Sequence, residues 1–228
     1  MSARLALDYA AIDEVELARL CSVRDAGASR YLITANNQRL FRAAWSILKD
    51  RGEAEEAVQA AYLSAFGAIG RFEGRSALST WLTRIVINEA LARQRAGRRR
   101  RKQLEDRGVA MLDDYRAAFA RGSDPAGPDT AAARAQLRGI LEEAIGKLPE
   151  QFRTVFVLRD VEGLSVEDTA HVLGLVEGTV KTRLLRARRK LQDMLAPDVR
   201  SALTGTFPFA GADCAALTAR VLAKLDVA

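Results

Sequence analysis

Apolar side chains recur at helical spacing along most of this chain. Between residues 176 and 191, Val180, Leu184, Ala187 and Leu191 are separated by four, three and four residues, which places them on one stripe of a helix. Alternating runs of β-branched and aromatic residues, which are typical of strands, are missing from the sequence. The pattern therefore predicts an all-α protein.

A shorter helix is predicted just upstream, over residues 165–173. Ser165 is a candidate N-cap, Asp168 stands three residues later as in a capping box, and Gly174 is a candidate helix end. A short helix, a glycine-containing turn and a longer basic helix together form the pattern of a helix-turn-helix. We therefore expect residues 165–191 to form a DNA-reading unit.

Two further helices are predicted in the first half of the chain. One begins near Asp50 with an acidic first turn and has a narrow stripe of small apolar residues: Ala54, Val58, Ala61 and Ala65. The other begins at Ser79 or Thr80 and runs without a break signal to Gly97. Both segments are long enough to contribute to one helical bundle.

Turn-forming residues and the arginine cluster at 98–102 divide the chain into parts. Gly, Ser, Asp and two prolines are concentrated at 122–129, which is typical of a linker. A proline follows the basic helix, and the tail beyond it ends in an amphipathic pattern. The predicted parts are an N-terminal helical lead-in (1–27), a helical domain (28–97), a flexible linker (98–133), a second helical domain (134–195) and a C-terminal extension with a short helix (196–228).

Composition narrows the possible partners. The chain has 228 residues, a formal net charge of +6 and a pI near 9.7, which favours nucleic acid first and an acidic membrane surface second. No run approaches the roughly 18 to 20 apolar residues of a membrane span, and the N-terminus lacks the layout of a secretory signal. We therefore expect a cytoplasmic protein without membrane insertion.

Metal and catalytic chemistry find little support in the sequence. Cys21 and Cys214 lie near opposite ends of the chain, and His171 is the only histidine. No metal-ligand spacing, disulfide framework, nucleophile–base pair or glycine-rich phosphate cradle can be assembled from these residues. The expectation is a protein that is not an enzyme and uses no metal and no cofactor.

The outward face of the basic helix is the first candidate binding site. In a helix-turn-helix, the start of the second helix enters the major groove, where arginine can grip guanine and lysine or threonine hold phosphates. The alternative is a surface helix whose arginines only keep it soluble. The candidate DNA-binding residues are Thr179, Lys181, Thr182, Arg183, Arg186, Arg188 and Arg189.

The first domain carries two more candidate surfaces. Arg84, Asn88 and Arg95 share one strip of a helix beside Trp81, which suits a nucleic-acid groove or a single strand. The alternative is that Trp81 belongs to the core and the arginines contact only solvent. The acidic and apolar surface around Glu56 either packs on a neighbouring helix or docks a partner protein.

Three long segments resemble a known family. LFRAAWSILKDRGEAEEAVQAAYLSAF, RFEGRSALSTWLTRIVINEALARQRAGRRR and LPEQFRTVFVLRDVEGLSVEDTAHVLGLVEGTVKTRLLRARRKL closely resemble the extracytoplasmic-function (ECF) branch of the sigma-70 family. The resemblance covers about residues 28–100 and 134–195, in the expected order. It implies sigma domain 2, a helical bundle, followed by sigma domain 4, a helix-turn-helix.

The resemblance implies a promoter-specificity subunit that recruits core RNA polymerase. The partners implied are core RNA polymerase, promoter DNA and an anti-sigma factor. The segment that grips the polymerase clamp would include Asp50, Glu53, Glu55, Glu56 and Gln59. The residues that recognise and open the minus-ten element would be Phe72, Arg75, Ser76, Ser79, Trp81, Arg84, Asn88 and Arg95. Residues 179–189 would read the minus-thirty-five element.

Some positions depart from the family pattern, and other functions remain open. Ala60 and Tyr62 stand where the family usually has an acidic residue and Phe, and Val176 and Glu177 replace the more usual residues before the basic helix. One alternative is a transcriptional regulator that binds operators without polymerase and dimerises through the first domain. Another is a sigma mimic that binds an anti-sigma protein, although such a protein should have lost the cations of the basic helix.

Overall fold

The computed structural model of the chain describes residues 8–105, 139–195 and 212–225. Within these ranges the chain forms helices and turns, with no β-strand. The predicted all-α fold is therefore confirmed. Most of the predicted linker, and residues 196–211 of the predicted extension, lie outside the described residues.

Four helices make the first unit: α1 (Glu14–Ser22), α2 (Ala26–Leu48), α3 (Arg51–Ala68) and α4 (Leu78–Glu105), with a 3₁₀ turn (Ile69–Arg71) after α3. Aspartates start the first three helices, because the side chains of Asp13, Asp25 and Asp50 each accept a hydrogen bond from a backbone amide of the first turn. Helix α4 continues eight residues past the boundary predicted at residue 97.

Helices α2, α3 and α4 pack on one another around an apolar core. The small-residue stripe predicted on α3 is buried, which lets α2 and α4 approach that helix closely. Tyr62 is fully buried, and its hydroxyl donates to the carbonyl oxygen of Ile33 at 3.1 Å. The acidic and apolar surface around Glu56 is divided between core and solvent. Gln59 and Phe66 are buried, whereas Glu56 and Leu63 are exposed.

The second unit contains α5 (residues 139–147), α6 (Glu150–Phe156), a π turn (Val157–Val161), α7 (Val166–Leu173) and α8 (Glu177–Met194). Ser165 caps α7 as predicted, because its Oγ accepts from the amide of Asp168 at 2.8 Å. Gly174 ends α7 in the left-handed region, with φ at 63°. The predicted inward stripe of α8 is confirmed, and its members are the buried residues of that helix: Val180, Leu184, Ala187 and Leu191.

Helix α9 (Ala212–Leu225) packs across α2 and α3. Its apolar stripe, predicted from the sequence, is buried: Leu217, Val221, Leu222 and Leu225. The tail therefore returns to the first unit and adds one more helix to that bundle.

The two units also touch one another directly. Helix α6 and the π turn contact α2, and α7 contacts α4. An ion pair joins Arg42 to Glu162 at 2.9 Å, with only 12% and 6% of their side chains exposed. No helix in the described part of the chain is both long and apolar enough to cross a membrane.

Candidate nucleic-acid and polymerase interfaces

The solvent face of α8 presents a basic surface. Because the four apolar side chains of its stripe face the core, the remaining positions of the helix point outwards. Lys181, Thr182, Arg186 and Arg189 are exposed, and Thr179 and Arg183 are half-buried beside them. A helix in this arrangement can meet phosphates and base edges along one groove of duplex DNA.

Two cations of this surface are held by carboxylates of the chain. Arg188 donates two hydrogen bonds to Asp160 in the π turn, at 2.6 and 2.7 Å. These bonds and the negative charge of Asp160 outweigh partial burial and raise the pKa of Arg188. Glu177 accepts from Lys181 one turn later at 3.3 Å, so the acid that departs from the family pattern neutralises a cation at the start of α8.

A shallow groove of about 440 Å³ runs beside the start of α8. Its walls are Gln151 and Phe152 of α6, and Val176, Gly178, Thr179, Thr182, Arg183 and Arg186 of the α8 region. The hydroxyl of Thr182 donates to the carbonyl oxygen of Gly178 at 2.8 Å, which leaves its lone pairs available to a donor. The groove thus gathers four of the predicted DNA-binding residues.

The predicted strip of α4 is exposed at Arg84, Asn88 and Arg95. In this arrangement Arg84 is in contact with the second unit, because its Nη1 lies 2.7 Å from Nε2 of His171 on α7. Arginine carries only donors, so the histidine nitrogen is the acceptor. The strip is therefore partly covered where α7 meets α4.

The other minus-ten candidates lie in the loop before α4 and in the first turn of α4. Phe72 is buried, and its ring meets the half-buried ring of Trp81 edge to face, with 5.8 Å between centroids.

Arg75 is exposed and paired with Glu73. Ser76 is half-buried, and the hydroxyl of Ser79 accepts from Arg39 of α2 at 2.9 Å. The aromatic pair anchors the loop, whereas Arg75 is the side chain most open to a ligand.

The acidic candidates occupy the first half of α3 but point in two directions. Asp50 is the N-cap of α3. Glu53 and Glu56 face α4, where both are paired with Arg93 at 3.5 and 2.9 Å. Glu55 faces the other way, and the buried Gln59 follows it by one turn.

Arg93 is a charge hub that sequence analysis missed. It contacts Glu89 on its own helix at 2.9 Å in addition to the two acids of α3. Burial opposes the charge of Arg93, yet hydrogen bonds to Glu56 and Glu89 outweigh that effect and raise its pKa. The four-residue spacing of Glu89 and Arg93 was a visible signal for their ion pair, but not for the contacts with α3.

Arg153 was also missed. Its guanidinium is buried and donates to the carbonyl oxygens of Ser46, Gly146 and Leu148 at 2.6, 3.4 and 2.8 Å. Burial lowers its pKa to about 10, so the side chain is still charged at neutral pH. Ser46 lies in the last turn of α2, where carbonyls lack helical partners and attract cations.

The described residues contain no group of three or more His, Cys, Asp or Glu side chains that could hold a metal ion. Cys21 is a free, buried thiol. Burial raises its pKa to about 11, which keeps it neutral at physiological pH.

Comparisons with known proteins agree with this arrangement. The family model described as "Sigma-70 region 2" matches residues 32–100, and the model described as "Sigma-70, region 4" matches residues 138–191. The RNA polymerase sigma-H factor of Pseudomonas aeruginosa is 38% identical over 157 residues, which cover 67% of this chain and 78% of that protein. The ECF RNA polymerase sigma-E factor of Haemophilus influenzae is 32% identical over 148 residues, covering 64% and 77%.

A solved structure shares the fold as well. The sigma factor RpoE of Bartonella quintana, in complex with the anti-sigma factor NepR, superposes with a TM-score of 0.56 at 27% identity. The match covers 74% of this chain and 94% of that protein. The order of the two units, the helix-turn-helix and these relatives all lead to one conclusion: the chain belongs to the ECF branch of the sigma-70 family of RNA polymerase sigma factors.

Proposed function

We propose that this chain binds core RNA polymerase and directs it to promoters by reading the minus-ten and minus-thirty-five elements. The observation that carries the proposal is the presence in one chain of two family regions, each with an exposed polar or basic helix face. A regulator that acts without polymerase would need the helix-turn-helix and a dimerisation surface, but not a first domain that matches sigma-70 region 2. The proposed activity consists of binding and positioning, without catalysis by this chain.

The second unit is assigned to the minus-thirty-five element. In this proposal Arg186 and Arg183, which line the groove beside α8, approach base edges, whereas Lys181 and Arg189 hold phosphates. Arg188 has a smaller role in DNA binding than the sequence suggested, because its ion pair with Asp160 must be broken or shared first. Its main contribution would be to hold α8 against the π turn.

The first unit is assigned to the minus-ten element and to the polymerase. The exposed strip of α4 and Arg75 would contact the opened strand, and the Phe72–Trp81 pair would give the loop a fixed shape. The acids of α3 would face the polymerase clamp. By analogy with the relative seen with NepR, an anti-sigma factor would control access to these surfaces. Transcription initiation by this protein would take place at the chromosome, in the cytoplasm.

Promoter binding requires the two units to separate. The two elements are named for positions about 25 base pairs apart, which corresponds to on the order of 85 Å along duplex DNA. In the present arrangement, Arg84 of the minus-ten strip touches His171 of the helix-turn-helix. The structure therefore fits a resting form that opens before or during promoter binding.

The test is transcription in vitro with purified core polymerase and a library of promoter fragments. We expect defined transcripts that depend on this chain. Arg186→Ala should weaken the binding free energy for the minus-thirty-five element by about 1 to 3 kcal/mol. Lys147→Ala, which removes an exposed cation from α5, is the control and should behave as wild type. If no promoter yields a chain-dependent transcript, the proposal fails.

A further inference from the structure

Helix α9 covers a surface that the proposed function needs. It packs across α2 and α3, and its Arg220 is ion-paired with Glu55 at 2.5 Å. Glu55 is one of the acids assigned to the polymerase clamp, and Gln59 follows it one turn later. A clamp helix that approached Glu55 would therefore meet α9 first.

The contact between α9 and the first unit is partly polar. Asn37 of α2 is buried and donates to the hydroxyl of Thr218. Arg24 donates to the carbonyl oxygen of Leu225 at 2.6 Å, where the end of a helix attracts a cation. A helix that never leaves its site would favour apolar side chains at these buried positions, because a buried polar group costs free energy unless it forms a hydrogen bond. Polar groups suit a surface that is also stable when α9 has left and water or a partner takes its place.

We infer that α9 is an intramolecular inhibitor, a helix that covers the polymerase-binding surface around Glu55 on α3 and must be displaced before core RNA polymerase binds. This inference rests on the proposed function. Four buried apolar side chains hold α9 in place, and its link to α8 through residues 196–211 keeps its local concentration high after it detaches. Displacement would therefore be reversible.

The size of the effect follows from the docked fraction. If α9 is absent from its site in about one tenth of the molecules, the apparent affinity for polymerase is about tenfold weaker than that of the open form. A substitution that releases α9 should therefore tighten binding by about that factor. A link that fixes α9 in place should remove binding.

The first experiment uses Leu217→Asp in the full chain, because Leu217 is a completely buried residue of α9. Ala219→Asp is the matched control, since it places the same charge on the exposed side of the same helix. Binding of fluorescently labelled chain to core polymerase is measured by anisotropy. We expect Leu217→Asp to bind about tenfold more tightly and Ala219→Asp to match wild type.

The second experiment covers the case in which Leu217→Asp damages the fold. Asn37→Cys with Thr218→Cys, in a Cys214→Ser background, places two thiols where the side chains already touch. The oxidised chain should not bind core polymerase, and reduction should restore binding. Adding a synthetic peptide of residues 212–228 to Leu217→Asp should weaken its binding again.

The outcomes separate this inference from the proposed function. If wild type and Leu217→Asp bind polymerase equally, and the oxidised chain also binds, then α9 is not an inhibitor while the sigma-factor function stands. If no form binds polymerase, both the proposed function and the inference are overturned.

Discussion

Replacing Glu162 by glutamine should loosen the contact between the two units. Glu162 pairs with Arg42 at 2.9 Å and with Arg39 at 3.6 Å, and its side chain is only 6% exposed. Glutamine has almost the same shape and keeps an acceptor oxygen, but it leaves both cations without their carboxylate. The substitution therefore removes charge while preserving packing.

The magnitude follows from the geometry. Unit charges 2.9 Å apart attract by about 6 kcal/mol at an effective dielectric constant of about 20, and desolvation of the pair offsets most of that gain. Removing one partner of a fully buried pair costs about 3 to 5 kcal/mol. Here both cations can return to water when the units separate, so we expect a loss of about 2 kcal/mol, or about 30-fold in the ratio of docked to separated forms.

Energy transfer between dyes on the two units can measure this loss. Cysteines replacing the exposed residues Ser64 on α3 and Gln192 on α8, in a Cys214→Ser background, carry the dyes. Transfer is followed in increasing urea, together with helical circular dichroism. Glu162→Gln should lose transfer at lower urea than wild type, while the unfolding of the helices changes little.

Glu167→Gln is the control, because Glu167 is exposed on α7 and carries the same carboxylate. Equal urea midpoints for energy transfer in the two variants would refute the argument that the buried ion pair holds the units together.

Three further predictions concern stability and reactivity. Leu184→Ala should lower the free energy of unfolding by about 3 kcal/mol, whereas Leu185→Ala, at an exposed neighbouring position, should change it by less than about 0.5 kcal/mol in the same urea titration. Gly174→Ala should cost about 1 kcal/mol by thermal unfolding, because alanine is strained at a φ of 63°; an unchanged melting temperature would contradict this. Burial raises the pKa of Cys21 from 9.0 to about 11, because the folded chain favours the neutral thiol. The stability that the buried neutral thiol contributes is complete below pH 9 and is lost as the pH rises towards 11. Urea titrations from pH 8 to 11 should show this loss in wild type but not in Cys21→Ala.

Local patterns in the sequence predicted the helices and their inward faces well. The stripe of α8, the cap at Ser165 and the apolar face of α9 depend on side chains a few residues apart, which helical geometry relates directly. The exposure of Arg84, Asn88 and Arg95 followed from the same geometry.

Contacts between distant parts of the chain were not predictable in this way. Nothing near Glu55 indicates that Arg220, 165 residues later, lies beside it. Likewise, the family resemblance implies that Phe72 helps to recognise the minus-ten element, but it does not reveal that the ring of Phe72 packs edge to face against Trp81 and is buried. Such choices between core and surface depend on tertiary neighbours, which one sequence without its fold does not reveal.

The chemistry of the contact between the units explains how one chain can be both closed and able to open. Arg153 and Thr154 donate to the carbonyl of Ser46, and Gln94 and Arg98 donate to Glu150, so specific polar bonds hold the two units in register. Water can replace each of these polar partners when the units part. The contact therefore fixes a defined closed form without making it permanent, which is what a protein needs if it must later span two distant promoter elements.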